Sequence, residues 1–279
     1  MRTEPDVYAL VLRLQPDLGA VVSEVYGHGV HGMFLELVRQ VNPELANTLH
    51  VRELSKHFTV ALLPQPGVSR RRADTMLEVR VTLLRNDIFS SFAAALMQQM
   101  AFPALRLGRT SLLVTEVFGT AGSHPWAGYG SFAELVAAAR PARRVALRFA
   151  TPTVTTRGTL GTGNKQRLNL FPLPDAVFGS LVRRWNDLAP PELALDHEGV
   201  RAMCDEVLAV RYQLETMATR LRTNVQVGFV GSCMYELPAD EEVQRTLALL
   251  ADAAFYLGVG SKTTQGMGVC QREVIRDGA

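Results

Sequence analysis

Apolar residues recur along the chain at two spacings, and the switches between them predict its elements. Val7 to Leu14 (VYALVLRL) is almost continuously apolar and reads as a first strand. Met33 to Val41 carries Phe34, Leu37, Val38 and Val41 at helical spacing. Pro43 to His50 reads as a second, short helix, with Asn42 as its N-cap and Pro43 at its first position, where the missing N–H leaves no bond unmade. Phe58 to Leu63 and the alternating Leu77, Val79, Val81 and Leu83 give two strands. Asn86 and Asp87 cap a helix from Ile88 to about Met100, and Ser111 to Phe118 is a further strand. The order is β-α-β-β-α-β, the ferredoxin-like plan that common RNA-binding modules share.

From Gly119 to Gly130 (GTAGSHPWAGYG) the periodicity stops, and this turn-rich stretch reads as a linker. Beyond it Ser131 caps a short helix, Arg144 to Phe149 forms a strand, Asp175 to Asn186 an amphipathic helix, and Glu198 to Val210 another helix. Val225 to Leu237 is a long strand, Glu241 to Leu257 a helix, and Gly268 to Ile275 the closing strand. This half repeats the plan of the first with material inserted. The chain therefore reads as α+β, two tandem ferredoxin-like (RRM-like) βαββαβ domains over residues 1–122 and 131–279.

Composition supports that size, since 279 residues with 47% hydrophobic side chains suffice for two cores. A net charge of +2 and a pI near 8.5 fall below the pI of about 9 expected of a dedicated basic nucleic-acid domain, so any cationic surface is local. Of the 29 cations only Lys56, Lys165 and Lys262 are lysines. Cys204, Cys233 and Cys270 are odd in number, widely spaced and without a C-x-x-C pair, which suggests reduced core thiols rather than a disulfide framework or zinc site. The first residues carry no signal core, and no apolar run approaches the roughly 18 residues of a membrane span. These features predict a soluble, cytoplasmic protein with no membrane association.

The most chemically pointed stretch is Gly258 to Gly268 (GVGSKTTQGMG), placed between the last helix and the last strand. Glycine accepts positive φ and has no side chain, so backbone N–H groups at Gly258, Gly260, Gly266 and Gly268 can converge on a phosphate, with Lys262 adding charge and Thr263 and Thr264 adding hydroxyls. A nucleotide-triphosphate P-loop is the rival reading. That motif needs Gly directly before the Lys and a helix directly after it, whereas here Ser261 precedes Lys262 and a strand follows.

Several blocks, in order along almost the whole chain, resemble the CRISPR-associated endoribonucleases that cut precursor CRISPR RNA within each repeat, a branch of the repeat-associated RNA-binding superfamily. The C-terminal loop is similar to that family's G-x-G-x-K-T-x-x-G-x-G signature. Asn42 to His50 with Lys56 to Val60 resembles its N-terminal block, departing at His57 and Ala61, where Pro and Ser are usual. Arg148 to Thr153, Phe171 to Leu181 and Gly228 to Ser232 are similar to blocks between. The resemblance implies a reaction without metal or other cofactor, in which a ribose 2′-OH attacks the adjacent phosphorus and leaves a 2′,3′-cyclic phosphate and a 5′-OH. It implies repeat RNA as partner, and leaves open other effector subunits, a homodimer, and the alternative of a non-catalytic RNA-binding subunit of an effector complex.

Such chemistry needs a base for the 2′-proton, an acid for the leaving 5′-oxygen, and cations or N–H groups for the charge on phosphate. Histidine suits either proton role near neutrality. His50 matches, by resemblance, a histidine that is catalytic in several family members, and it also suits a helix C-terminus by the dipole. His31, at a helix start, is its expected partner, and Lys56 the expected cation, with Tyr26 a weaker candidate. His28 and His31 lack a nearby third ligand, so no metal site is expected. His57 reads as structural, and His124 and His197 as solvated. Arg70, Arg71 and Arg72, between two strands, and more weakly Arg143, Arg144, Arg183 and Arg184, are candidate phosphate contacts, while Trp126, Tyr129 and Trp185 are candidate stacking platforms, Trp185, on an apolar helix face, reading more as core.

Overall fold

The structure, a computed structural model, describes residues 4–17, 27–50, 57–64, 76–99, 105–107, 110–159, 166–221 and 224–275. The first half contains β1 (Val7–Pro16), α1 (Gly27–Val41), α2 (Pro43–His50), β2 (Phe58–Leu62), β3 (Leu77–Leu83), α3 (Asn86–Gln99), β4 (Leu105–Leu107) and β5 (Thr110–Phe118). β6 (Gly128–Gly130) and α4 (Phe132–Ala138) lead into β7 (Arg144–Thr153), β8 (Thr155–Thr159), β9 (Gln166–Asn169), α5 (Pro174–Leu188), α6 (His197–Met203), β10 (Leu208–Arg220), β11 (Val225–Glu236), α7 (Glu241–Leu257) and β12 (Cys270–Glu273).

Among the described residues two large antiparallel sheets form, ordered β2-β3-β1-β5-β4 and β10-β11-β7-β12, beside the small hairpin of β8 and β9. Setting the short β4 aside, both read second-third-first-fourth, the ferredoxin-like order of two βαββαβ units. In the first, Leu10, Leu12 and Leu14 of β1 pack under Phe34 and Val38 of α1 and Phe92 of α3. In the second, Leu147 and Phe149 of β7 and Tyr235 of β11 pack under Phe178 and Trp185 of α5 and Leu250 of α7. Each such large side chain, fully buried, contributes about 2 kcal/mol. Trp185 is core, its indole N–H donating to the Leu193 carbonyl at 2.7 Å.

β1 is apolar on both faces because both are covered. Its opposite face places Val11 in a second cluster with Ala61, Trp126 and Val269, at the seam between the halves. Here Arg80 of β3 is buried, its Nε donating to the Trp126 carbonyl at 3.0 Å and an Nη to the Phe255 carbonyl, with its guanidinium 4.6 Å from the Phe255 ring centroid. Burial lowers the guanidinium's pKa, while carbonyls and ring faces hold the cation.

The caps follow the sequence: Asn42 Oδ1 accepts from the Leu45 N–H at 2.9 Å, and Ser131 forms a capping box with Glu134. Three expectations need correction. The helix expected from Glu198 to Val210 is α6, which stops at Met203; a 3₁₀ turn follows, and β10 begins at Leu208, where alternation of Leu208, Val210, Tyr212 and Leu214 sets a period of two. The hairpin of β8 and β9 was not expected. The supposed linker is partly structured, since β6 pairs with β1 and Trp126 is buried at the seam, so Trp126 is not available for stacking. No described helix is long and apolar enough to cross a membrane.

Candidate active site

The glycine loop leaves α7 at Gly258, which adopts φ 68° and donates to the Ala254 carbonyl at 2.9 Å. Its backbone donors are then used inside the protein. The N–H of Gly260 bonds Ser180 Oγ at 2.9 Å, and those of Ser261, Gly266 and Gly268 bond the carbonyls of Val154 (3.0 Å), Val60 (2.9 Å) and Pro152 (3.1 Å). The convergence of glycine N–H groups on an anion, expected above, is replaced by convergence on the fold. Glycine is required for closeness: a Cβ at Gly260 would lie 2.3 Å from the Val154 carbonyl oxygen, and one at Gly268 2.2 Å from that of Val259. The Thr263 side chain is buried, its methyl packed between Gly258 and Gly268. Lys262, partly exposed, sits in the left-handed region at φ 61°, a conformation costing a non-glycine residue about 1 kcal/mol or more.

Because Gly266 is bonded to β2, the loop reaches across from the second half to the first, and there it meets His31. The His31 Nδ1 lies 2.8 Å from the Thr264 carbonyl oxygen. A carbonyl can only accept, so Nδ1 carries the proton and the lone pair of the neutral imidazole falls on Nε2. The ring rests on Phe58 (centroids 5.8 Å apart, planes 20° apart), which in turn stacks on Phe34. α1, β2 and the loop thus fix one imidazole in position and tautomer.

His50 is exposed at the last turn of α2, outside the hydrogen bond that joins His31 to the loop. Lys56, Tyr26, Arg70, Arg71 and Arg72 lie outside the described residues. His57 precedes β2, and its carbonyl accepts from the Leu84 N–H. His124 is not solvated: its Nδ1 accepts from the Trp126 N–H at 3.1 Å and its Nε2 lies 3.4 Å from Glu78. His197 Nδ1 lies 3.0 Å from Glu198. Tyr129 is exposed. Arg143 and Arg144 reach toward Glu236, and Arg184 is buried while Arg183 is exposed. Among the described residues no group of three His, Cys, Asp or Glu side chains gathers in a way that could hold a metal ion. Sequence reasoning missed Ser180 and Phe58, since a lone serine on a helix and a phenylalanine in a strand carry no local mark of their partners.

Comparison with known proteins bears on this arrangement. The family model for the CRISPR Cas6 N-terminal domain matches residues 6–137, and that for CRISPR-associated endoribonuclease Cas6 matches residues 147–270. A solved product complex of Cas6 (TTHA0078) is 30% identical over 96% of this chain and 99% of that one, with a TM-score of 0.74. The chain belongs to the Cas6 family. The product complex of another Cas6 (TTHB231) is 29% identical, covers 97% of this chain and 100% of that chain, and superposes with a TM-score of 0.83; Thermus thermophilus Cas6 (TTHB231) solved separately gives 28% and 0.74 over the same shares. No curated protein matches the chain. As a Cas6 family member it is an RNA-cleaving enzyme of CRISPR RNA processing, and the tandem ferredoxin-like plan is that of its structural neighbours.

Proposed function

We propose that this Cas6 cleaves precursor CRISPR RNA within each repeat without a metal ion, by attack of a ribose 2′-OH on the neighbouring phosphorus, leaving a 2′,3′-cyclic phosphate and a 5′-OH. The observation that carries the reading is the bond from His31 to the Thr264 carbonyl, which puts the imidazole lone pair on Nε2, as a general base requires. In this reading Nε2 takes the 2′-proton and His50 donates a proton to the leaving 5′-oxygen. Lys56 and Lys262 supply positive charge for the transition state and the RNA backbone. Arg70, Arg71, Arg72 and the face of the loop from Gly258 to Gly268 hold phosphates, the glycines contributing the loop's shape. The unit over residues 1–122 supplies the proton transfers, and the unit over 131–279 supplies the loop. Solved relatives captured as product and substrate-mimic complexes support repeat RNA as the partner.

The test is cleavage of a repeat transcript in excess EDTA, beside a transcript carrying a single 2′-deoxy nucleotide just upstream of the cut. Full activity under chelation and none on the deoxy substrate is expected. Loss of activity on chelation, or cutting of the deoxy substrate, would overturn the mechanism.

A further inference from the structure

Beside the glycine loop lies a polar cavity of about 260 Å³. Its walls are Thr155 of β8, Asp175, Gly179 and Arg183 of α5, His197 and Arg201 of α6, and the loop itself at Gly260 and Ser261. Arg183 and Arg201 of the lining are exposed, and Arg201 forms a long ion pair with Glu198 at 3.8 Å. Gly179 is a further sign. It stands inside the 15-residue α5, where glycine costs about 1 kcal/mol relative to alanine, yet a Cβ there would meet nothing closer than Arg201 Cγ at 3.9 Å. The space over Gly179 is therefore kept open although filling it would favour the helix.

We propose that this cavity binds one ribonucleotide unit, its phosphate held by Arg183 and Arg201 and its ribose hydroxyl donating to the Asp175 carboxylate. Two arginines are the side chains best shaped for phosphate, and a carboxylate, which repels phosphate, is suited to a sugar hydroxyl. The volume falls just under the range that holds whole small molecules, which suits the phosphate and ribose of one nucleotide and excludes a duplex. The occupant is a nucleotide of the repeat RNA away from the scissile bond, an assignment that rests on the endoribonuclease reading; a free mononucleotide has the same chemistry. Ser180, at the cavity's edge, accepts from the Gly260 N–H, so the site adjoins the loop whose far end meets His31 without touching the imidazole.

The experiment compares wild type with Arg183→Gln, Arg201→Gln and Gly179→Leu, the last filling the cavity. It measures repeat-RNA binding at several salt concentrations, single-turnover cleavage at saturating protein, and melting temperature with and without millimolar AMP. Each variant is expected to melt within a few degrees of wild type, to bind RNA about tenfold more weakly or worse, and to cleave at the wild-type rate once saturated. Each arginine variant should also flatten the slope of log K against log salt by about 0.7. A melting shift by AMP that the variants lose, with RNA affinity unchanged, would overturn the RNA occupant in favour of a free nucleotide. Unchanged RNA affinity and no effect of AMP would overturn the site. All three variants spare His31, so these outcomes are separate from failure of the cleavage mechanism, which the EDTA and deoxy experiments read.

Discussion

His31 and Thr264 stand 233 residues apart in sequence, yet the imidazole Nδ1 of one and the main-chain carbonyl of the other are 2.8 Å apart. Their bond ties α1 of the first ferredoxin-like unit to the loop that closes the second. It gives a glycine loop with few free donors a place beside the proposed proton-transfer residue. The loop offers a carbonyl, and the carbonyl chooses the tautomer.

Removal of the imidazole should therefore affect chemistry and spare binding. His31→Ala is expected to slow single-turnover cleavage by about 10²-fold or more, with RNA affinity nearly unchanged, as is usual for loss of a general acid or base. His50→Ala should do likewise if it donates the second proton. A wild-type rate for His31→Ala would remove it from the active site and shift the base to His50 or Lys56.

The glycines of the loop should prove structural before they prove anything else. Gly260→Ala and Gly268→Ala each add a Cβ within 2.3 Å of a carbonyl oxygen, at φ values of 80° and 75°. Each should destabilise the protein by about 3 kcal/mol or more, combining left-handed strain with overpacking. Gly122→Ala is the control. Its φ is 84° with nothing within 4 Å of the new Cβ, so about 1 kcal/mol is expected. Urea unfolding of the three variants checks the order, and equal losses would show that strain alone, without contact, limits the loop.

Much of this fold was legible because its signals are local. Asn42 and Ser131 announce their caps, Glu241 to Leu257 keeps one helical period from end to end, and the strands of the first sheet alternate or run apolar as burial demands. The boundary between α6 and β10 was lost because residues 198–210 pass from one period to the other across a single 3₁₀ turn. Trp126 and His124 were misplaced for a different reason. Glycines and a proline surround them, yet long-range partners, Arg80 and Glu78, bury them at a seam between halves that no window of sequence spans. The site divides the same way: the loop and His31 are visible as residues, but the bond between them, and Ser180 beneath, belong to tertiary structure.

Lys262 carries backbone strain that glycine would relieve, which makes Lys262→Gly more informative than alanine. Relief of the left-handed conformation, worth about 1 kcal/mol, is offset by the greater freedom of glycine in the unfolded chain, so stability should change by less than about 0.5 kcal/mol. Repeat-RNA affinity should fall for all sequences alike, with the salt slope flattened by about 0.7 to 0.9. A variant that binds RNA normally and cleaves slowly would place Lys262 among the groups that stabilise the transition state.

The thiols give a pH signature independent of RNA. Cys204, Cys233 and Cys270 are free and buried, and burial raises all three thiol pKa values, that of Cys204 from 9.0 to about 12. The Cys204 Sγ–H donates to the Val200 carbonyl at 3.2 Å, which also favours the protonated form. An acid whose folded pKa is raised keeps its proton while the unfolded chain loses it, so its contribution to stability is intact below pH 9 and declines as pH rises above it. At pH 10, one unit above the unfolded value, the loss from Cys204 alone is about 1.4 kcal/mol. Arg80 runs the other way, because burial brings its folded value down to about 9 and favours the folded state as pH rises. The difference between wild type and Cys204→Ala isolates the thiol: between pH 8 and pH 10 the wild type should lose about 1.4 kcal/mol more than the variant in urea unfolding. Labelling with a thiol reagent at pH 8 should modify none of the three cysteines in the native protein and all three in denaturant. Parallel stability curves, or labelling of the native protein, would mean that Cys204 is open to solvent on the timescale of the measurement and that the α6 turn carrying it unfolds locally.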